Sequence, residues 1–323
     1  MRHVLPAELD DALDYPGLVE ALREIFRSGG EAPQRLHYPL PVPGASANAP
    51  GSDGTLLLMP AWIAGRFIGI KLVTVFPENG KLSLPSVQGS YLLLDGRTGV
   101  PLAMMDGPRL TVRRTAAASA LASSYLSRPE ASTLLMAGTG ALAPHLIRAH
   151  AAVRPLRRIL VWGRSRANAA ALAEQTAGQT GLAVEVVDDL ARAAGEADII
   201  SCATLATSPL IRGEWLRAGT HLDLVGGFRP DMREADDDCV RRSTLFADTR
   251  GGALHEAGDL AQPLQAGLIH ETDIAGDLYD LTRGAHPGRQ SEKEITLFKS
   301  VGHALEDLAA AILCGRRLGI TPA

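Results

Sequence analysis

Six residues near the middle of the chain, Gly138-Thr139-Gly140-Ala141-Leu142-Ala143, have the types and spacing to hold a pyrophosphate. They follow an apolar run at 133–137 and lead into a helical stretch through Arg148. In a G-x-G-x-x-A turn between strand and helix, the first glycine permits a tight bend and the second lets backbone approach the phosphates. The small sixth residue lets the helix pack closely on the sheet. The helix N-terminus then offers free N–H groups and the positive end of its dipole. Pro144 fits the first helical turn, where no N–H is needed. The bland alternative is a glycine turn that serves only the packing of an α/β domain.

The end of the next strand, at 158–162, bears on which dinucleotide would bind. Sites for an unphosphorylated ribose usually place an acidic residue there, about 20 residues after the glycines. This chain reads Gly163-Arg164-Ser165-Arg166 instead. A guanidinium fork at Arg164, with Ser165 or Arg166 assisting, matches a 2′-phosphate. The expected cofactor is therefore NADPH, with NADH as the less favoured choice. Against it stands the reading of Arg164 and Arg166 as ordinary surface arginines.

Cations in the first third could bind an acidic small molecule. Arg113 and Arg114 fall in the first turn of a helix expected at 111–126, where a cation opposes the helix dipole unless an anion joins it. Lys71 lies in Ile68-Gly69-Ile70-Lys71-Leu72-Val73, a strand expected to be buried on both faces. Two readings stand for it. It could hold a carboxylate or release a proton after burial lowers its pKa, or it could snorkel to water from an edge strand. Arg35 says nothing by itself. The nine histidines form no ligand pair, His145 and His221 look structural, and no metal is expected.

The elements that must position these residues divide the chain in two. Leu18, Val19, Leu22, Ile25 and Phe26 recur at helical spacing, and Gly29-Gly30 ends that helix. A Pro/Gly/Ala-rich loop from about 41 to 54 follows. Apolar runs come next at 55–59, 66–76, 91–94 and 100–105, the last two joined by the turn-rich Asp95-Gly96-Arg97-Thr98-Gly99. Arg128-Pro129 ends the Ala-rich helix and marks the expected boundary. Beyond it, strands are expected at 133–137, 158–162, 183–187, 198–203, 221–225 and 244–247. Their alternation with helices implies a parallel sheet covered on both faces.

A long helix is expected at 292–317, opened by a Ser291/Glu294 capping box and carrying Ile295, Phe298, Val301, Leu305, Leu308 and Ile312 on one face. The expected organisation is a Rossmann-type α/β domain at 129–297. An α+β domain at 1–128, completed by 298–323, stands beside it. With 323 residues, two domains is also the prior from length.

Composition excludes several classes. A net charge of −4 and 46% hydrophobic content describe an ordinary globular protein and give no basic face for nucleic acid. No apolar run reaches the ~18 residues that span a bilayer. The first fourteen residues lack an apolar signal core. Cys202, Cys239 and Cys314 lie too far apart for a metal or redox pair, which suits a reducing cytoplasm. The run Asp236-Asp237-Asp238 reads as a solvated helix start.

With these segments in hand, the chain resembles the ornithine cyclodeaminase/μ-crystallin family nearly end to end. The likeness is carried by Gly69-Ile70-Lys71-Leu72-Val73-Thr74, Met105-Asp106-Gly107, Arg114-Thr115-Ala116-Ala117 and the glycine turn at Gly138. Thr204-Leu205-Ala206-Thr207, the run from Gly226 to Glu234, and Phe298-Lys299-Ser300-Val301-Gly302 complete it. The resemblance implies a homodimer whose first domain makes the dimer contact and substrate pocket. It matches Arg35, Lys71 and Arg114 to residues around the substrate carboxylate and reacting carbon. Gly140, Arg164, Ser165, Thr204 and Val225 match cofactor contacts.

One departure narrows the chemistry. Cyclodeaminases of the family carry an aspartate directly after the glycine pair, and this chain has Phe228. The Phe-Arg-Pro-Asp-Met-Arg-Glu run is similar to the ketimine-reductase branch. The expected reaction is thus NADPH-dependent reduction of a small cyclic ketimine acid to L-proline or L-pipecolate, with Lys71 as the catalytic group. Ornithine cyclodeamination and non-catalytic binding of NADPH and a small acid are the rivals.

Overall fold

The computed structural model describes residues 1–41 and 54–321, so the Pro/Gly/Ala-rich loop falls, its two ends apart, outside the described residues. The chain divides into two compact units: Met1–Arg114 with His303–Ala323, and Thr115–Gly302.

The first unit opens with β1 (Arg2–Val4), α1 (Pro6–Ala12) and α2 (Tyr15–Ser28), followed by β2 (Leu36–Leu40) and β3 (Gly54–Ile63). Then come β4 (Phe67–Val75), β5 (Val87–Asp95) and β6 (Pro101–Asp106). They form one sheet in the order β1-β6-β5-β4-β3-β2, antiparallel except for β1 against β6. Strand alternation sets its faces. Met59, Ala61, Gly69, Lys71, Tyr91, Leu93, Ala103 and Met105 are buried, and the residues between them are partly exposed. The hairpin expected at 95–99 forms, because Asp95 Oδ1 accepts from Arg97 N at 2.9 Å and Thr98 N at 2.8 Å. Gly99 supplies the left-handed residue, at φ 72°. The helix expected from the Leu18–Phe26 periodicity is α2, which Gly29 ends at φ 90°.

Two expectations for this unit are corrected. β4 is buried on one face only, since Leu72 beside Lys71 is 43% exposed. β4 also lies between β3 and β5, so Lys71 cannot reach water from a sheet edge. The Ala-rich helix, α3 (Gly107–Leu126), begins four residues before the expected 111. Asp106 starts it, accepting from Arg109 N at 2.7 Å. Arg113 and Arg114 therefore sit in its second turn, where the dipole argument for an anion lapses.

The unit boundary falls inside α3, at 114/115 rather than 128/129, and returns at 302/303 rather than 297/298. The later part of the helix bonds into the second unit. Ser119 Oγ donates to Asp223 Oδ1 at 2.9 Å, and Leu126 O accepts from Thr296 Oγ1 at 2.9 Å.

The second unit continues through β7 (Thr133–Ala137), α4 (Ala143–Val153), β8 (Arg158–Trp162), α5 (Arg166–Thr180) and β9 (Ala183–Val186). Next are α6 (Leu190–Glu196), β10 (Ile199–Cys202), β11 (His221–Leu224), α7 (Asp237–Arg242) and β12 (Thr244–Ala247). It closes with α8 (Arg250–Glu256), α9 (Gly258–Gln265), β13 (Ile274–Asp277), α10 (Leu278–Arg283) and β14 (Thr296–Lys299). The sheet is parallel throughout, in the order β13-β12-β14-β11-β10-β7-β8-β9. Its middle is the doubly wound arrangement of a Rossmann-type fold, with the reversal of strand order at β7 and β10. Asp236 caps α7, as the acidic run suggested.

The single long helix expected at 292–317 does not form. Thr296–Lys299 is a fully buried strand between β11 and β12, and Gly302 at φ 83° breaks the chain. The helix proper, α11 (Ala304–Arg317), then belongs to the first unit. Ile295, Phe298 and Val301 recur every third residue and so mimic a helical stripe across a short buried strand. Ser291 and Glu294 make a turn instead of a cap, with Glu294 N donating to Ser291 Oγ at 3.1 Å. β13 was not anticipated either. No helix among the described residues is long and apolar enough to cross a membrane.

Candidate active site

A cleft of about 460 Å³ opens at the C-terminal ends of β7, β8 and β10, the edge where doubly wound sheets take ligands. Gly138, Thr139, Gly140, Gly163, Arg164, Ser165 and Thr204 line it; Ala141 and Val225 are not among its lining residues. Gly138 is at φ 120°, and a Cβ there would stand 2.5 Å from Ala203 O, so only glycine fits. A Cβ on Gly140 would meet nothing within 4 Å, which leaves room for a ligand to approach the backbone. Gly163 packs closely on Thr139, since a Cβ there would lie 2.6 Å from Thr139 Cγ2 and force that side chain to shift.

These residues fit a nicotinamide dinucleotide: a glycine turn with open space over it, then a helix N-terminus at α4. Arg164 is exposed and makes no hydrogen bond or ion pair among the described residues. Ser165 caps α5, its hydroxyl accepting from Asn168 N at 3.3 Å. Arg166, expected as an assistant, is paired with Asp188 instead. Trp162, Asn168 and Leu205 also line the cleft. The strand–turn–helix pattern contained the signal for Asn168, in the first turn of α5.

The cations of the first unit have sharper roles than sequence suggested. Arg113 is not an anion site. It donates to Asp10 Oδ1 at 2.7 Å and to Leu13 O at 3.1 Å, pinning α1 to α3. Lys71 is 2% exposed and Arg114 5% exposed. Lys71 Nζ lies 2.7 Å from Asp307 Oδ2. Arg114 reaches Asp307 Oδ1 at 3.0 Å and Glu306 Oε2 at 2.7 Å. Neither carboxylate stands out in the sequence, where both fall inside the long helix expected at 292–317.

Burial lowers the Lys71 pKa, the positive charges of Arg114 and Arg35 lower it further, and Asp307 works the other way; the result is about 8. Arg35, just before β2, is thus within electrostatic reach of Lys71. Burial alone would raise Asp307, but Arg114 and Lys71 hold it below the usual carboxylate range. Tyr91 is the cross-strand partner of Lys71, fully buried, and its hydroxyl has no hydrogen-bond partner among the described residues. Burial first, then Asp307, push its pKa well up, so it stays a phenol. Gly69 is glycine because a Cβ would overlap that hydroxyl.

The fold and cleft define a doubly wound α/β protein of the Rossmann type. The model of the ornithine cyclodeaminase/mu-crystallin family matches residues 26–318, and the chain belongs to that family. A Δ1-pyrroline-2-carboxylate reductase of Paracoccus denitrificans is 44% identical over 266 residues, 81% of this chain and 83% of its own. The structure of the Thermococcus litoralis Δ1-pyrroline-2-carboxylate reductase, in complex with NADH and L-proline, superposes with TM-score 0.90 at 33% identity, covering 100% of both chains. A probable ornithine cyclodeaminase of Bordetella pertussis follows at TM-score 0.86 and 30% identity, covering 100% of this chain and 99% of that one.

Proposed function

We propose that this protein reduces the C=N bond of small cyclic ketimine acids, Δ1-pyrroline-2-carboxylate or Δ1-piperideine-2-carboxylate, to L-proline or L-pipecolate with NADPH. It is an enzyme, an oxidoreductase of C=N bonds. The observation that carries the reading is the buried Lys71 ammonium, kept as a cation by Asp307 yet with a pKa of about 8. Such a group holds a proton at neutral pH and gives it up readily.

Bound in the cleft, the nicotinamide supplies a hydride for the imine carbon. Lys71 draws charge toward the imine nitrogen and donates its proton there. Arg35 and Arg114 hold the substrate carboxylate and orient the ring. Gly138, Thr139 and Gly140 carry the pyrophosphate, with Gly163 and Thr204 around it. Arg164 and Ser165 take the 2′-phosphate, which supports NADPH over NADH.

The cyclodeaminase rival draws on the likeness to the Bordetella pertussis protein. It lacks the aspartate after the glycine pair, where Phe228 stands 50% exposed. A spectrophotometric assay decides between them. Ketimine acids should consume NADPH, and ornithine with NAD+ should yield little proline or ammonia. Proline formation from ornithine at a matching rate would overturn the reductase reading. Binding of NADPH and ketimine without turnover would leave a carrier of the μ-crystallin type.

The working form is a homodimer, supported by the partly exposed apolar face of the first unit's sheet. A cytoplasmic location belongs to the same reading, supported by three buried free cysteines.

A further inference from the structure

Glu234 closes the run that begins at Gly226 and has no role assigned from sequence, yet its carboxylate is wholly buried among cleft-forming loops. Glu234 Oε1 accepts from Thr204 N at 2.7 Å and Thr204 Oγ1 at 2.8 Å, and Oε2 accepts from Gly226 N at 2.8 Å. Thr204 follows β10 and Gly226 follows β11. The two loops press together so closely that a Cβ on Gly226 would overlap the Thr204 backbone. Backbone bonds extend the hold: Leu210 N donates to Glu234 O at 2.8 Å, and Arg233 N donates to Ala206 O at 2.8 Å. Thr204, Ala206 and Leu210 all line the cleft. Behind Glu234, its own N–H donates to Asp259 Oδ1 at 2.7 Å, and Lys299 Nζ reaches Asp259 Oδ2 at 3.0 Å.

We propose that Glu234 is a positioning residue for the dinucleotide, its ionised carboxylate clamping the loops after β10 and β11 so that the Thr204–Leu210 wall of the cleft is held in its binding shape. The inference rests on the cofactor reading above. Three donors converge on the carboxylate, which in its ionised form accepts through both oxygens and has no donor of its own to place. A proton removes the charge that strengthens these bonds, and on Oε2 it weakens the acceptor facing the Gly226 N–H, which has no other role to take. The charged and titratable groups facing Glu234 are Lys299 from β14, Asp259 from α9 and the Cys202 thiol from β10. Burial raises its pKa, Lys299 lowers it and Asp259 raises it again, to about 7. The clamp therefore loosens as pH falls through neutrality.

Trp162 lines the cleft, so quenching of its fluorescence reads binding without turnover. NADH is the probe, because a 2′-phosphate would itself titrate near pH ~6. Wild-type affinity should weaken about tenfold from pH ~8 to pH ~6, as one carboxylate takes up its proton. Glu234→Gln should bind NADH at least about tenfold more weakly at the higher pH, lose the pH dependence, and melt within a few degrees of wild type. Its Tm need not fall because a buried charge has been removed along with the clamp. Glu234→Asp, too short to span both loops, should not rescue binding. Wild-type affinity and pH dependence in Glu234→Gln would overturn the proposal. Should that variant fail to fold, a flat wild-type profile would do the same. Wild-type protein that binds neither NADH nor NADPH would instead overturn the cofactor reading.

Discussion

Lys71 is placed in the first unit so that two opposing influences nearly balance. Burial and the neighbouring arginines disfavour its charge, while Asp307 at 2.7 Å favours it. Its pKa of about 8 means the ammonium is present below that pH and lost above it, so ketimine reduction should decline as pH rises through 8. Asp307→Asn removes the anion that retains the proton, and the alkaline limb should move to lower pH. A limb that stays in place would remove Lys71 as its source. Lys71→Met keeps most of the side-chain volume and should preserve fold and NADPH binding. Turnover at saturating ketimine should fall ~10²-fold or more. A raised KM with kcat unchanged would make Lys71 an anchor rather than a proton donor. Arg164 offers a cleaner test because among the described residues it has no ion-pair partner to disturb. Arg164→Ala should weaken NADPH binding about tenfold to a hundredfold and leave NADH binding nearly unchanged, the scale of one charge-assisted phosphate contact. Equal loss for both nucleotides would refute the phosphate assignment.

At the scale of elements, the cleft depends on how β7 turns into α4 beside β10. Gly138 combines a positive φ with contact against the Ala203 carbonyl, so a side chain there meets strain twice. Gly138→Ala should cost ~1–3 kcal/mol of stability and abolish measurable dinucleotide binding. Calorimetric melting and fluorescence titration check both, and a variant that binds normally would separate the turn from the cofactor. Beneath the same sheet, Asp223 accepts from Ser119 Oγ, Ser201 Oγ and His150 Nε2 at 2.9, 2.7 and 3.1 Å. This buried cluster fastens α3 and α4 to β10 and β11, and so supports the sheet that carries the cleft. His221 nearby is structural, as its sequence context suggested; burial is the main cause of its pKa of about 3, and Thr296 bonds its Nδ1 at 2.9 Å.

For the whole molecule, the sheet of the first unit has one face it does not bury. Strand register lines up Leu36 with Leu58 and Leu72, and Pro60 with Ile70, Leu92 and Met104. These rows are apolar and partly to well exposed, the kind of contiguous patch that marks an interface. Sedimentation should give twice the mass of one chain. Ile70→Glu combined with Leu92→Glu should give single chains with an unchanged circular dichroism spectrum. Monomeric wild-type protein, or a doubly charged variant that still pairs, would rule this face out.

What could be read along the chain was what depends on neighbours in sequence. The glycine turn, the alternation of strand and helix, the 95–99 hairpin and the amphipathic α2 each follow from local geometry and periodicity. Lys71 could be singled out because a cation in an apolar run is costly wherever the run folds. What stood beyond local reach was decided by partners far along the chain. Asp307 and Glu306, more than 190 residues from Arg114, turn two isolated cations into one charged cluster. Glu234 acquires its place only when β10 and β11 lie side by side. The buried strand β14 reads as helix because Ile295, Phe298 and Val301 recur at a spacing that also suits one helical face. Only its place between β11 and β12, with hydrogen bonds on both edges, selects the strand.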